Sequence, residues 1–181
     1  IAMKVLSNVY SFSIVDICAA ALDPSKMGYL PLSIRMMMFI GLLLAFAVKI
    51  PIFPLHTWLP DAHTEAPTEI SVILAGIMLK TGAYAMLRIL YFAFPDVGYV
   101  IGPVLATCAV ISIVYGAAVT LAQTDFKRMV AYSSISHMGF IVLGISAMNA
   151  DATIGAVFHM VGHGVIISSL FFLSGVLERR Y

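Results

Sequence analysis

Two lysines lie inside apolar stretches of the chain, where a charged side chain is costly. Lys49 follows the apolar run of residues 42–48, and Lys80 follows residues 70–79, in which Ser71 carries the single polar side chain. A lysine in the hydrocarbon region of a bilayer costs at least ~2.5–3.5 kcal/mol, so one that is present normally faces a protein interior, a partner or water. Both lysines are therefore predicted to handle ions or protons.

Prolines follow Lys49 closely and predict a broken helix there. Pro51 and Pro54 each lack a backbone N–H and disrupt the preceding helical turn. A break at membrane depth presents the free backbone groups that are typical of an ion site. A lysine releases its proton more readily when it is desolvated and holds the proton more tightly beside a carboxylate. Lys49 is thus predicted to be a proton switch, and the alternative is a lysine that snorkels from a helix end to the membrane surface.

Three histidines occupy the last two apolar stretches. His137 shares a helical stripe with Ser133 and Ser136, and an imidazole titrates near neutral pH and passes protons between its two nitrogens. His159 and His163 are four residues apart and so share a helix face. That spacing also suits a pair of metal ligands, but the surrounding stretch offers no further ligands, so we expect a proton relay or a helix contact and no metal. The alternative for His137 is a core histidine bonded to a serine.

The segment between the two lysines carries two more histidines. His56 and His63 lie beside or within residues 60–68, whose sequence PDAHTEAPT predicts a polar loop. We interpret both histidines as groups that fix this loop or take up protons at its surface, rather than as central members of a relay. The hydroxyl groups of Thr81, Ser133 and Ser136 are expected to hold waters that bridge the relay groups.

Apolar runs of about 20 residues recur along the chain and predict an all-α, multi-pass transmembrane bundle. Residues 1–30 are expected to form a partial helix and an interfacial loop. The predicted spans are a proline-broken one over residues 32–59, followed by 69–90, 99–123, 129–148 and 153–177. Every span except 99–123 carries an ionisable group near mid-depth. If those faces converge, they form a row of protonatable groups across the protein.

Composition excludes several other classes of protein. Of 181 residues, 61% are hydrophobic and 10% are charged, and the mean hydropathy is +1.02, whereas a soluble domain carries about 25% charged residues. The net charge of +1 says nothing about nucleic acid, but the chain has no basic stripe, and no nucleic-acid partner is expected. Cys18 and Cys108 lack metal-ligand spacing, and the chain holds no glycine-rich phosphate loop, so no cofactor is expected in it. We expect the chain to be a piece of a longer membrane subunit.

Four stretches resemble one family closely. They are VKIPIFPLHTWLPDAHTEAPT, VILAGIMLKTGAYAMLR, DFKRMVAYSSISHMGF and HMVGHGVIISSLFFLSGVLERR. In order and spacing they are similar to the antiporter-like membrane subunit of respiratory complex I that is called chain M in bacteria and chain 4 in mitochondria. The resemblance covers about residues 35–180. Sister subunits and cation/proton antiporter subunits share the looser pattern, and PDAH followed by EAPT favours the chain M type.

The resemblance implies a role for each matching residue. Lys49 matches a lysine on a broken helix that forms an ion pair with a glutamate of an earlier helix, and Lys80 matches the central lysine of the next helix. His137 and His163 match histidines that continue the proton path, with His159, Ser133, Ser136 and His56 as secondary candidates. The acid partner of Lys49 and the terminal ionisable residue belong to helices that this chain does not include.

The implied function is proton translocation as a subunit of an NADH:quinone oxidoreductase, a translocase without a redox centre in this chain. NAD, FMN, iron–sulfur clusters and quinone are expected on partner subunits. The implied partners are other membrane subunits of the complex, including sister antiporter-like subunits, and the lipid bilayer of a bacterial or archaeal cell membrane or of an organelle inner membrane. The alternatives are a cation/proton antiporter subunit, a membrane subunit of a membrane-bound hydrogenase, and a structural scaffold that transports nothing.

Overall fold

The computed structural model describes residues 31–178 and four isolated positions, Ser13, Val15, Asp16 and Arg180. The expected partial helix and interfacial loop of residues 1–30 therefore lie almost wholly outside the described residues. Residues 31–178 form six helices: α1 (Leu32–Lys49), α2 (Trp58–Glu65), α3 (Thr68–Tyr91), α4 (Pro95–Leu121), α5 (Phe126–Ser146) and α6 (Ala150–Glu178). All but α2 are long and apolar enough to cross a membrane. Because this range contains no strand, the predicted all-α, multi-pass bundle is confirmed.

The last three long helices begin three or four residues earlier than the sequence predicted. The first residues of each helix were expected to belong to the connections between the spans. Pro95 is the first residue of α4, a position where its fixed φ suits the helix and its missing N–H is not needed. Asp125 and Asn149 precede α5 and α6, and each side chain accepts a backbone N–H three residues further on, at 2.8 and 2.7 Å. These caps satisfy backbone donors at the helix ends.

The helix α5 is the most buried of the long helices and packs against α2, α4 and α6. Glycines bring the backbones of α4 and α5 close together. A Cβ atom on Gly116 would lie 2.8 Å from the backbone nitrogen of Ser136, and one on Gly139 would lie 2.9 Å from the carbonyl oxygen of Ala109. Close approach through small residues is how membrane helices gain packing contacts. On the other side of the bundle, α3 packs against α1 and α6.

The predicted proline break is present, and α4 satisfies its backbone. The helix α1 ends at Lys49, and residues 50–57 are not helical. The backbone N–H of Phe53 donates to the Ser112 hydroxyl of α4 at 2.9 Å. Across the break, the indole N–H of Trp58 donates to the carbonyl of Val48 at 3.0 Å. The third long helix, α4, therefore contributes a partner for the broken backbone rather than a protonatable group.

The expectation of a polar loop over residues 60–68 is wrong, because Trp58–Glu65 is the helix α2. Pro60 lies in its first turn, where proline is tolerated, and Asp61 places a negative charge near the positive end of the helix dipole. Leu59, Pro60 and His63 are buried, and α2 packs on α5. The helix ends before Pro67, since the residue before a proline favours an extended conformation.

The helix α3 contains two π-helical segments, Leu74–Met78 and Met86–Tyr91, which the sequence analysis did not anticipate. A π-helical turn takes in more residues than an α-helical turn and is often found at functional sites. The first segment ends two residues before Lys80. Because it changes the helical phase, it determines which neighbour the Lys80 side chain faces.

Candidate functional site

Lys80 borders a cavity between α3 and α6 that is largely open to the outside of the described bundle. The side chain is half-buried, and its ammonium donates a hydrogen bond to the carbonyl of Ala75, within the preceding π-helical segment. The cavity has a volume of about 680 Å³, is open on one side, and is bordered by Gly76 and Gly164 at the helix crossing. Apart from Lys80, the polar side chains along it belong to Thr81, Tyr84, Ser168 and Ser169. This setting gives a half-buried lysine an open space along an apolar helix crossing.

Three histidines gather where α5 meets α6. The ring centroid of His137 lies 5.3 Å from that of His159 and 5.2 Å from that of His163, and the rings of His159 and His163 are stacked at 6.3 Å. The spacing of four residues puts the two histidines of α6 on one face, as predicted, and α5 brings His137 to that face. The structure therefore brings His137 against a pair of histidines that belongs to the next helix.

Lys80 lies beside this histidine cluster. A Cβ atom on Gly164 would be 3.8 Å from Lys80 Cε, so the lysine stem lies against α6 at the residue next to His163. Lys80 is within electrostatic range of all three histidines. Three helices, α3, α5 and α6, therefore place the lysine and the histidines in one region of the bundle.

Burial differs across the cluster. His163 is 4% exposed, and among the described residues neither of its ring nitrogens has a hydrogen-bond partner. His159 is half-buried, and its Nε2 atom likewise lacks a partner within the described part of the chain. His137 is exposed and borders a second cavity of about 460 Å³, together with His159. Buried polar atoms are nearly always hydrogen-bonded in proteins, so these nitrogens mark places where water or a mobile proton is expected.

Lys49 lies apart from this cluster at the end of α1. Its side chain is exposed on the surface of the described bundle. Its stem approaches α3, because a Cβ atom on Gly82 would lie 3.3 Å from the Cβ and Cγ atoms of Lys49. Within the described residues no acidic side chain forms an ion pair with it. An acid partner on an earlier helix stays a prediction.

The secondary candidates have other contacts. The Ser136 hydroxyl donates to the carbonyl of Ile113 on α4 at 3.0 Å, and the Ser133 hydroxyl donates to Val130 in its own helix at 2.7 Å. Each serine thus bonds to backbone rather than to a histidine. His56 is 3% exposed, stacks on Phe53 at 5.5 Å and meets the edge of Tyr115 at 5.0 Å. It belongs to the helix break rather than to the histidine cluster. Burial lowers the pKa of His56 below its ordinary value.

His63 is more deeply buried than its polar neighbours in the sequence indicate. It is fully buried on α2, and its ring stacks on Phe171 of α6 with centroids 4.3 Å apart. Burial first, and then the positive charges of Lys127 and Lys80, lower the pKa of His63 to about 4. Leu59 and His63 are four residues apart, so a helical interpretation of this segment would have placed them on one buried face.

No group of three or more metal-binding side chains converges in the part of the chain that the structure describes. The arrangement is instead a set of proton-binding side chains in an apolar bundle. Ammonium and imidazole groups of this kind are able to exchange protons with one another and with water.

Comparison with known proteins places this chain in a family. Residues 2–181 match the family model described as "NADH:quinone oxidoreductase/Mrp antiporter, TM". The chain belongs to this family. A curated relative, NAD(P)H-quinone oxidoreductase chain 4 3 of Trichormus variabilis, is 51% identical over 150 residues, which are 83% of this chain and 28% of the relative. The predicted chain M or chain 4 resemblance is therefore confirmed, and the chain spans under a third of that relative.

Two solved structures share the fold. Respiratory complex I from Thermus thermophilus with bound NADH contains a chain that is 32% identical, with a TM-score of 0.86 over 98% of this chain and 36% of that one. The Mrp complex from Dietzia sp. DQ12-45-1b contains a chain that is 31% identical, with a TM-score of 0.83 over 98% of this chain and 19% of that one. The chain is thus a membrane protein whose relatives are found in multi-subunit complexes.

Proposed function

We propose that this chain carries part of the proton path of a proton-translocating NADH:quinone oxidoreductase. The observation that supports this most directly is that His137, His159 and His163 gather where α5 meets α6, within electrostatic range of Lys80. Ionisable groups inside a membrane are costly, and where they line up they typically serve ion or proton transfer. The family relationship agrees with this reading.

The proposed mechanism is electrostatic. Lys49 is the input switch, because it ends a broken helix and its stem lies beside α3 two residues from Lys80. When an acid partner on an earlier helix moves toward Lys49, the ammonium is stabilised, and when the partner leaves, repulsion from Lys49 favours release of the Lys80 proton. The released proton passes to His163 and then to His137 and His159, whose rings lie within 6.3 Å of one another by centroid. The path continues in helices beyond this chain.

The redox chemistry belongs to partner subunits in this proposal. NAD, FMN, iron–sulfur clusters and quinone are bound there, and this chain responds to the charge changes that they produce. Its partners are other membrane subunits of the complex, including sister antiporter-like subunits. The proposed location is a bacterial cell membrane, since the relative and both solved complexes named above carry bacterial names.

The test is Lys80→Met in the full-length subunit of the assembled complex, reconstituted in proteoliposomes. Methionine keeps the length of the side chain and removes the ammonium, so we expect the complex to assemble while NADH-driven proton pumping falls at least tenfold. Tyr84→Phe is the matched control, because Tyr84 borders the same cavity and this change also removes a polar atom. Normal pumping and normal coupling in the Lys80→Met complex would refute the proposed function.

The second candidate is a cation/proton antiporter subunit, which the likeness to the Mrp complex favours. The two candidates differ in the ion that is exchanged. Replacing sodium with choline in the proteoliposome assay would abolish exchange by a sodium/proton antiporter, whereas an NADH-driven proton pump would continue unchanged.

A further inference from the structure

His63 combines complete burial with an unused hydrogen-bonding capacity. It is 0% exposed, and within the described residues neither ring nitrogen has a hydrogen-bond partner. Its ring lies flat on Phe171, with centroids 4.3 Å apart and planes 21° apart. Leaving buried polar atoms unpaired opposes folding. Phenylalanine or leucine would fill the same space without that cost, so packing alone does not account for an imidazole here.

One side of His63 faces the polar end of the bundle. Lys127 lies at the start of α5, and its ammonium donates to the carbonyl of Ala66 at 3.0 Å, three residues beyond His63. The same ammonium is 3.6 Å from the carboxylate of Glu178, which is 64% exposed. Lys127 also lies within electrostatic range of His63. An exposed carboxylate and a lysine thus connect the surface with the neighbourhood of His63.

Phe171 connects His63 with the neighbourhood of the Lys80 cavity, which His63 itself does not border. Phe171, on which the imidazole stacks, is one helical turn after Ser168 on α6, and Ser168 borders the cavity of Lys80. The first turn of α3 holds His63 from the same direction, because the Ser71 hydroxyl donates to the carbonyl of His63 at 3.3 Å. Lys80 itself lies within electrostatic range of the His63 ring. His63 therefore lies between the polar end of the bundle and the central lysine.

We propose that His63 is the proton-transfer residue through which Lys80 exchanges protons with the polar end of the bundle at Lys127 and Glu178. The assignment rests on the proposed proton-translocating function and deepens it. A proton from water at the polar end binds one ring nitrogen, and the proton on the other nitrogen leaves toward the Lys80 cavity. The net charge of the ring is unchanged, and rotation of the ring or the reverse exchange of protons restores the starting tautomer. Burial, and then the charges of Lys127 and Lys80, keep the resting ring neutral, which leaves one nitrogen free to accept the proton.

The experiment uses the full-length subunit in the assembled complex, with His63→Phe, His63→Gln and His63→Ala. Phenylalanine retains a ring on Phe171, and glutamine retains polarity, but neither side chain relays a proton. We expect assembly to persist and NADH-driven proton pumping to fall at least tenfold in all three. Imidazole added to the His63→Ala complex should restore pumping at least threefold, because it fits the space that the side chain vacates and supplies the missing proton carrier.

His56 provides the matched control. It is a second buried histidine in the segment that joins α1 to α3, but it packs against Phe53 and Tyr115, away from the cavity. His56→Phe and His56→Ala should keep most of the pumping, and added imidazole should not change it.

The possible outcomes separate this assignment from the proposed function. If pumping is normal in His63→Phe but lost in Lys80→Met, the role of His63 is refuted and the proposed function stands. If pumping is normal in Lys80→Met, the proposed function itself fails. If His63→Phe retains the pumping that His63→Ala loses, and imidazole has no effect, His63 is a packing residue and the assignment is overturned. If His63→Phe does not assemble, pumping in His63→Gln and imidazole rescue of His63→Ala decide between the same two results.

Discussion

Adding one methyl group at Gly164 tests how closely α6 must approach the helix that carries Lys80. An ideal Cβ atom on Gly164 would lie 3.1 Å from the carbonyl oxygen of Gly76 on α3 and 3.8 Å from Lys80 Cε. Gly162 is two residues away on the same helix, and a Cβ atom there would have no neighbour within 4 Å. Gly164→Ala therefore crowds the crossing of α3 and α6, and Gly162→Ala is its matched control.

The magnitude follows from the difference between the two variants. Alanine is favoured over glycine inside a helix by about 1 kcal/mol, and this gain applies to both variants, so it cancels in the comparison. The contact with the Gly76 carbonyl requires the backbones to move apart by a few tenths of an ångström, and overpacking of this kind costs about 1–3 kcal/mol. We expect Gly164→Ala to be less stable than Gly162→Ala by that amount.

The assay is thermal denaturation of the purified complex, followed by retention of this subunit on native gels after heating. A difference of 1 kcal/mol corresponds to about 2–4 °C for a unit of 150–250 residues, so the two midpoints should differ measurably. Pumping should also fall in Gly164→Ala, because the methyl group enters the space beside Lys80, and should be unchanged in Gly162→Ala. Equal midpoints and equal pumping in the two variants would refute the close crossing of α3 and α6.

Three further predictions concern the helix break, the buried imidazole and the far end of the bundle. Ser112→Ala removes the acceptor of the Phe53 N–H, which should destabilise the subunit by about 1–3 kcal/mol, measured by the same heating assay, whereas Ser112→Thr should retain the bond and stability. The pKa of His63 is lowered from 6.5 to about 4. The folded subunit should therefore lose about 3 kcal/mol of stability as the pH falls from 6.5 toward 4, because the unfolded chain binds a proton in this range and the buried ring does not. His63→Gln should remove that part of the pH dependence. Arg35→Gln breaks the 2.6 Å ion pair with Asp96 and leaves a partly buried carboxylate unpaired. It should therefore lower the denaturation midpoint more than the double variant Arg35→Gln with Asp96→Asn, in which neither charge remains.

The long helices could be predicted from the sequence because each is a nearly unbroken apolar run. Their ends were less accurate, since residues such as Asp125 and Asn149 look like turns but act as helix caps. The helix α2 could not be predicted from composition, because its polar residues and Pro60 are those of a loop. It is helical because Leu59 and His63 bury one face against the rest of the bundle, which is a tertiary effect.

The residues of the candidate site could be named from the sequence, but their convergence could not. Spacing placed His159 and His163 on one face, whereas the approach of His137 depends on how α5 packs against α6. The direction of Lys80 depends on the π-helical segment Leu74–Met78, for which the sequence holds no evident signal. The expectation that the Ser136 hydroxyl holds a bridging water did not anticipate its bond to the Ile113 carbonyl of α4.

The distribution of unpaired polar atoms also has a physical meaning for the proposed path. Within the described residues, His63 and His163 each bury two ring nitrogens without a partner, and Lys80 lies within electrostatic range of both. A bundle selected for stability alone would replace such groups with apolar side chains, because burying unpaired polar atoms opposes folding. Two such imidazoles within electrostatic range of one lysine are what the proposed proton path requires, and packing alone does not account for them. Other contacts stabilise the bundle, such as the close packing of α4 on α5 through glycines.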